Sequence, residues 1–313
     1  MTTTAAADLD DLPLGSELAA RLTAMTVPYD AIDEVLALAA RLNEPQREFI
    51  DRCRSAVLAT LGSHARMVAL PSLTEVPGTE PGSLFARFGF VLMYAALLPA
   101  AQRFHADLGV PESITAATVA DLGRNMLVFQ KRFGVNGFDE QRWISLHFSG
   151  QLFQIGRLQY QLTTLGDRTA AGIAAAGLPV SADDPTLSIH LPRFCGPLTA
   201  ASCDESIAAA RQFLAERLPT LEPRVAVCKS WLLDPQLSAV LGAASNITAF
   251  QRRFSLAYPP EVDNESALRF VFANPDLPLT ELPQQSSLQR TVVRVLAEGG
   301  NWHAGMGYFR WGG

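Results

Sequence analysis

The residues best placed by type and spacing to do chemistry lie in the second half of the chain. In Leu187-Ser188-Ile189-His190-Leu191-Pro192, strand alternation puts His190 and Ser188 on the face opposite Leu187, Ile189 and Leu191. A neutral imidazole there can take the proton of an incoming ammonium group, because its ordinary pKa of about 6.5 lies near working pH. A hydrogen-bonded structural histidine is the competing reading. In Arg224-Val225-Ala226-Val227-Cys228-Lys229-Ser230-Trp231, Cys228 and Ser230 share a face, and either could give a proton to a departing group. Cys228 also reads as a small buried apolar residue.

Other candidates are scattered. Tyr308, in the Gly-interrupted aromatic run from Trp302 to Trp311, is either a phenolic acid or an aromatic of the core. His147 follows Trp143 by four positions and either lines the same cleft or packs. Arg157 stands inside an apolar strand and needs a partner, which is a protein carboxylate or an anionic substrate. Cys195 or Cys203 would act as a nucleophile only with a histidine such as His190 nearby, and Asp204 and Glu205 oppose a Cys203 thiolate. No Gly-x-Ser-x-Gly elbow, Gly-Lys-Ser/Thr phosphate loop or His-Glu-x-x-His helix occurs, so hydrolase, nucleotidase and zinc-protease readings lack an anchor.

The elements that must hold these residues fall into two groups. Up to about Gly134 the apolar residues recur at helical spacing, as in Leu18, Leu22 and Met25 or Phe49, Ile50 and Cys53. Asn43-Glu44-Pro45 and Pro111-Glu112-Ser113 supply helix starts. Gly134-Val135-Asn136-Gly137 breaks that register, and short alternating runs follow. The expectation is a flexible tail over residues 1–15, a helical N-terminal domain over 16–138 and a second domain over 139–313. Trp143 to Leu165 reads as one or two strands. The stretch from Leu187 to Ser230 reads as strand, loop, helix and strand, with parallel neighbours and a right-handed crossover. Ser202-Cys203-Asp204-Glu205 reads as the capping box of the helix between them.

Composition limits the function. A chain of 313 residues, 48% hydrophobic and 18% charged, has ample material for packed cores. Its net charge of -6 and lack of a long basic run give no footprint for nucleic acid. The apolar run Phe88 to Leu98 falls short of the roughly 20 residues of a membrane span and reads as a buried core helix. No positively charged start resembles an export signal, and the four cysteines are sparse, which together imply reduced thiols in the cytoplasm.

The chain resembles a family of acyltransferases that pair an N-terminal helical domain with a C-terminal domain like the GNAT superfamily. The resemblance is carried by Phe153 to Tyr160, by Ile189-His190-Leu191-Pro192 with Gly196-Pro197-Leu198, by Ser230-Trp231-Leu232-Leu233-Asp234-Pro235, and by Ser245-Asn246-Ile247. It implies an α+β fold, a mixed β-sheet flanked by helices behind the helical domain. It also implies coenzyme A, as acyl-CoA, for a co-substrate and a small-molecule amine as acceptor, with a carrier-protein thioester as the alternative donor and neither nucleic acid nor membrane as partner. GNAT enzymes hold the pyrophosphate on a Gln/Arg-x-x-Gly-x-Gly/Ala loop. Arg193 and Gly196 match it, whereas Leu198 stands where a small residue is usual.

On this reading Arg193, Gly196, Pro197, Leu198 and Thr199 bind the cofactor, and Asn246 either contacts the pantetheine amides or caps a helix. His190, Ser230 and Tyr308 are the catalytic candidates, and His147, Arg157 and Trp231 the substrate-binding ones. The alternative is a GNAT-shaped module that binds a ligand or a partner without catalysis.

Overall fold

The computed structural model describes residues 12–64, 67–272 and 274–312, so most of the expected tail lies outside the described residues. Seven helices come first: α1 (Gly15–Ala24), α2 (Tyr29–Ala39), α3 (Glu44–Leu58), α4 (Leu84–Asp107), α5 (Glu112–Val119), α6 (Asp121–Phe133) and α7 (Gln141–Phe148). The start signals work as read. Asn43 Oδ1 accepts from the Gln46 N–H at 3.0 Å, Gln46 Oε1 accepts from the Asn43 N–H at 3.2 Å, and Pro45 occupies the first turn.

The apolar run around Phe88 to Leu98 lies inside α4, a 24-residue helix buried along most of its length against α2 and α3. By length and composition it could cross a membrane, but its surface is spent on the core. Phe49 packs edge-on against Phe85 and Phe90 there, at 5.8 and 5.6 Å between ring centroids.

Gly134 ends α6 in the left-handed conformation, φ 73°, which is the break legible in the sequence. The strand expected from Trp143 onward is corrected. Trp143 to Phe148 belongs to α7, where Trp143 and His147 stack one turn apart, and the sheet starts only at Leu152.

The remaining elements are β1 (Leu152–Ile155), β2 (Leu158–Thr164), α8 (Asp167–Ala175), β3 (Pro185–His190), α9 (Ala200–Arg217), β4 (Val225–Ser230), α10 (Gln236–Leu241), α11 (Asn246–Gln251), β5 (Ser255–Leu256), β6 (Glu261–Val262), α12 (Asn264–Val271), α13 (Ser287–Ala297) and β7 (His303–Arg310). The 7-stranded sheet runs β1-β2-β3-β4-β7-β5, with β6 also on β7. All its pairs are antiparallel except β3 with β4, the parallel pair joined through α9.

Alternation divides the side chains. Phe153, Tyr160, Leu187, Ile189, Ala226 and Cys228 pack with Ala210, Phe213 and Leu214 of α9. On the opposite face Val225, Val227 and Tyr308 pack with Ala170 and Ile173 of α8. At the His190 end that second face turns polar and is covered by α6 and α7.

A buried histidine makes this packing sensitive to acid. His105 of α4 has Nδ1 3.2 Å from Thr115 Oγ1 and a buried Nε2 with no partner among the described residues. Burial, helped by His147, pushes its pKa down to about 4. The folded value lies below the unfolded value, so its contribution is complete above about pH 6.5 and is lost as the pH falls toward 4, by about 3 kcal/mol. Urea midpoints from pH 7 to pH 4 should show a shallower acid loss in His105→Gln than in the parent protein.

Candidate functional site

The site is built where β3 and β4 separate. They pair at Leu187 with Ala226 and at Ser188 with Val227, and no further ladder pair joins them. Each strand keeps its outer partner beyond that point: His190 stays opposite Gln159 on β2, and Cys228 to Ser230 stay opposite Gly307 to Gly305 on β7. The inner backbone edges of Ile189–His190 and Cys228–Ser230 therefore border a gap. Unpaired strand edges are ready donors and acceptors for an extended ligand.

His190 is the last residue of β3 and sits beside this gap, half-buried. Its Nε2 lies 3.0 Å from Gln161 Oε1, so Nε2 carries the proton and donates to the amide oxygen. Nδ1 then holds the lone pair, and no hydrogen bond to it occurs among the described residues. The Trp143 ring stands edge-on to the imidazole at 4.7 Å. Burial and then His147 push the His190 pKa down to about 4, with Asp121 acting in the other direction. The ring is therefore neutral at working pH.

Behind Trp143 lies a buried polar cluster. Asp121, the first residue of α6, accepts from Arg124 Nε at 2.9 Å, from Trp143 Nε1 at 2.9 Å and from Asn125 Nδ2 at 3.0 Å, and His147 Nε2 lies 3.2 Å from it. Burial pushes the Asp121 carboxyl up, but His147, Arg124 and the Trp143 N–H outweigh it and hold the group well below the carboxylate range. His147 also has Nδ1 3.2 Å from the Trp143 carbonyl and Nε2 3.3 Å from Gln159 Nε2. A residue expected to bind substrate is thus fully enclosed, because a helix rather than a strand carries it. Asp121, Gln159 and Gln161 were missed: the Asp121-x-x-Arg124 spacing was legible, but it resembles any surface pair on a helix.

The loop after β3 is shaped by two left-handed residues, Phe194 at φ 61° and Gly196 at φ 79°. The expected capping box is corrected. Thr199 is the cap of α9, its Oγ1 accepting from the Ser202 N–H at 3.1 Å, and Ser202 turns back to the Pro197 and Thr199 carbonyls. Asp204 lies further in, and Arg253 of the α11 C-terminal end neutralises it at 2.7 Å. The Asp204 charge expected at this helix start is therefore answered by a cation, and the residues Gly196 to Thr199 are exposed or half-exposed ahead of an 18-residue helix.

Arg193 turns away from that segment, donating to the Arg269 carbonyl and lying over the Phe270 ring at 5.4 Å. Arg157 comes closer. It sits at the β1–β2 turn rather than within a strand, donates from Nη1 to the Pro192 carbonyl at 3.2 Å, and has no partner for Nε among the described residues. No carboxylate pairs with it among the described residues.

The other candidates separate. Ser230 ends β4 at the gap, and its Oγ accepts from the Leu232 N–H at 3.1 Å, with no acceptor for its own proton among the described residues. Cys228 is fully buried on the α9 face, where burial pushes its thiol up to about 12. Tyr308 is buried among Val225, Val227 and Ile173. Trp231, expected to bind substrate, is a core residue packed edge-on against Trp302 at 6.3 Å, because a 3-10 turn over Trp231–Leu233 swings it off the strand line. Asn246 is exposed at the first position of α11, and Ser245 is that helix's cap. Cys203 is buried on the α9 side, across the sheet from His190, which removes the base a cysteine nucleophile would need.

Comparison with known proteins returns the same two-part organisation. Residues 16–150 match the model of an N-acyltransferase N-terminal domain, and residues 152–309 match that of a GNAT-like C-terminal domain. No curated protein matches the chain. Among solved structures, an acyltransferase in complex with CoA and 10C-teicoplanin is 31% identical with a TM-score of 0.81, over 96% of this chain and 90% of that one. An acyltransferase in complex with decanoyl-CoA and teicoplanin is 32% identical with a TM-score of 0.80, over 96% and 90%. A point mutant of an acyltransferase in complex with octanoyl-CoA is 31% identical with a TM-score of 0.80, over 96% and 89%.

Proposed function

The chain belongs to the N-acyltransferase family with a GNAT-like C-terminal domain, and from that premise we propose that it moves an acyl group from acyl-CoA to an amine of a small molecule by direct attack in a ternary complex. One observation carries the reading: the parallel strand pair β3–β4 opens beside a neutral histidine whose Nδ1 is unpartnered among the described residues. The acyl-CoA complexes of the similar acyltransferases support the donor, and their teicoplanin complexes support a small-molecule acceptor. A carrier-protein thioester, the alternative donor, has no such support.

In this mechanism the pantetheine arm lies in the gap as an extra strand would, hydrogen-bonded to the free edges of β3 and β4. Its pyrophosphate meets the backbone N–H groups of Gly196, Leu198 and Thr199 and the cation of Arg157, which takes the part expected of Arg193. Asn246 is free to reach the ligand from α11. The acceptor nitrogen attacks the thioester carbonyl and the C–N bond forms. The nitrogen proton passes to His190 Nδ1, the C–S bond breaks, and the thiolate takes the proton of Ser230 or of water. An imidazole with a low pKa is a weak base for free ammonium. The nitrogen attached to the tetrahedral carbon is far more acidic, so that proton is the one His190 is suited to remove.

Thiol release from decanoyl-CoA over a panel of amines, teicoplanin included, tests the activity. Binding of decanoyl-CoA with no thiol release for any amine would favour the non-catalytic module. The loop has its own test. Gly196 has φ 79° and open space around it, so Gly196→Val strains the backbone without a clash. CoA binding measured by calorimetry should weaken about 10-fold with the melting temperature nearly unchanged. An unaltered CoA affinity in the folded variant would remove the loop from the site.

A further inference from the structure

We infer that Asp121 is the positioning residue of the active site: through Trp143 it fixes the His190 imidazole, so that the helical N-terminal part supplies part of the catalytic apparatus. The inference rests on the reading of His190 as the base, and it concerns a residue that does not touch the proposed substrates.

The geometry is a chain of contacts across the two parts of the molecule. Asp121 stands at the start of α6 and is buried. A buried carboxylate is tolerated only when its oxygens are satisfied, and here Arg124 occupies one oxygen while Asn125, Trp143 and His147 converge on the other. Such convergence costs stability in assembling charged groups away from water, so it needs a return other than packing. What it holds is the Trp143 ring, gripped by its N–H on one side and placed edge-on to His190 at 4.7 Å on the other.

Among the described residues the His190 ring has one hydrogen bond, to Gln161, about which it could still turn. The indole packed at 4.7 Å blocks that rotation, so the orientation of Nδ1 is set by Asp121 through Trp143. His147 completes the support, its Nε2 3.2 Å from the Asp121 carboxylate and beside Gln159, which lies opposite His190 in the ladder. The charged and titratable groups facing His190 are therefore His147 and Asp121 from the helical side, while β2 presents the neutral Gln159 and Gln161.

Two readings separate positioning from bulk stability. The first is proton NMR of the histidine rings, of which the chain has 5, with His190→Gln assigning the signal. Asp121→Asn should shift the His190 ring protons, because the neighbouring indole moves, and it should leave the His303 signals in place. The second is a double-mutant cycle using decanoyl-CoA and the fastest amine of the panel. Asp121→Asn should lower kcat about 10-fold with the KM for decanoyl-CoA unchanged, and should have no further effect in a His190→Gln background.

Equal losses in both backgrounds, or an unshifted His190 signal in folded Asp121→Asn, overturn the inference. Should Asp121→Asn prove too unstable, Trp143→Phe removes the indole N–H bond to Asp121 together with part of the ring that packs on His190, and carries the same two readings. If no amine on the panel reacts, the NMR reading decides alone, which keeps a failure of the positioning distinct from a failure of the proposed activity.

Discussion

Replacing His190 with Gln is expected to lower turnover by about 10²–10⁴-fold while decanoyl-CoA affinity stays within about twofold. Gln keeps approximate size and can still bond to Gln161, so the gap between β3 and β4 should be preserved. It cannot accept a proton at the position of Nδ1. Burial and His147 hold the His190 pKa at about 4, so the rising limb of kcat/KM against pH belongs near 4 in the free enzyme. The parent should show that limb for as long as circular dichroism reports the chain folded on acidification, and His190→Gln should lose it. A variant with near-parental rate across pH 5 to 9 would make His190 structural and pass the proton to Ser230 or an ordered water.

The largest stability effect is expected at a position with no chemistry. A Cβ added to Gly123 would lie 1.9 Å from the Thr26 carbonyl oxygen and 2.6 Å from its Oγ1. Nothing there can yield easily: the Gly123 N–H donates to the Met25 carbonyl at 3.2 Å, and Thr26 Oγ1 donates to the Ala120 carbonyl at 2.9 Å. Gly123→Ala must push α6 away from the turn between α1 and α2. That costs about 3 kcal/mol or more, at the upper end of overpacking effects, and should lower the melting temperature by roughly 6–12 °C. Because Asp121 lies two residues away on α6, the purified variant should also lose turnover more than decanoyl-CoA affinity. A melting temperature within about 1 °C of the parent would mean the contact is relaxed in solution.

The local order of elements was legible wherever a short-range rule acts alone. Asn43-Glu44-Pro45 caps its helix, Gly134 ends one, and the alternation from Leu187 to His190 and from Val225 to Ser230 makes two strands. Alternation also placed His190 opposite Leu187 and Ile189, since side-chain direction in a strand follows from period two whatever the rest of the chain does. Where two periods compete the reading failed. Trp143 to Phe148 carries apolar residues at both spacings, and its burial between α6 and the sheet selects the helix. Trp231 left its strand for a 3-10 turn because the core around Trp302 could enclose it.

The sequence by itself determined the two-part organisation, the β-loop-α-β unit, the histidine at a strand end and the family resemblance, because each depends on residues within a few positions of one another. Only the tertiary structure decided which cation approaches the loop, that Arg253 answers Asp204, and that Asp121, Trp143 and His190 form one cluster. Asp121 and His190 stand on different elements in different parts of the chain. Pairing across such a distance is set by how α6 and α7 settle on the sheet, and that depends on shape and burial summed over the whole interface rather than on any spacing a reader of the chain can count.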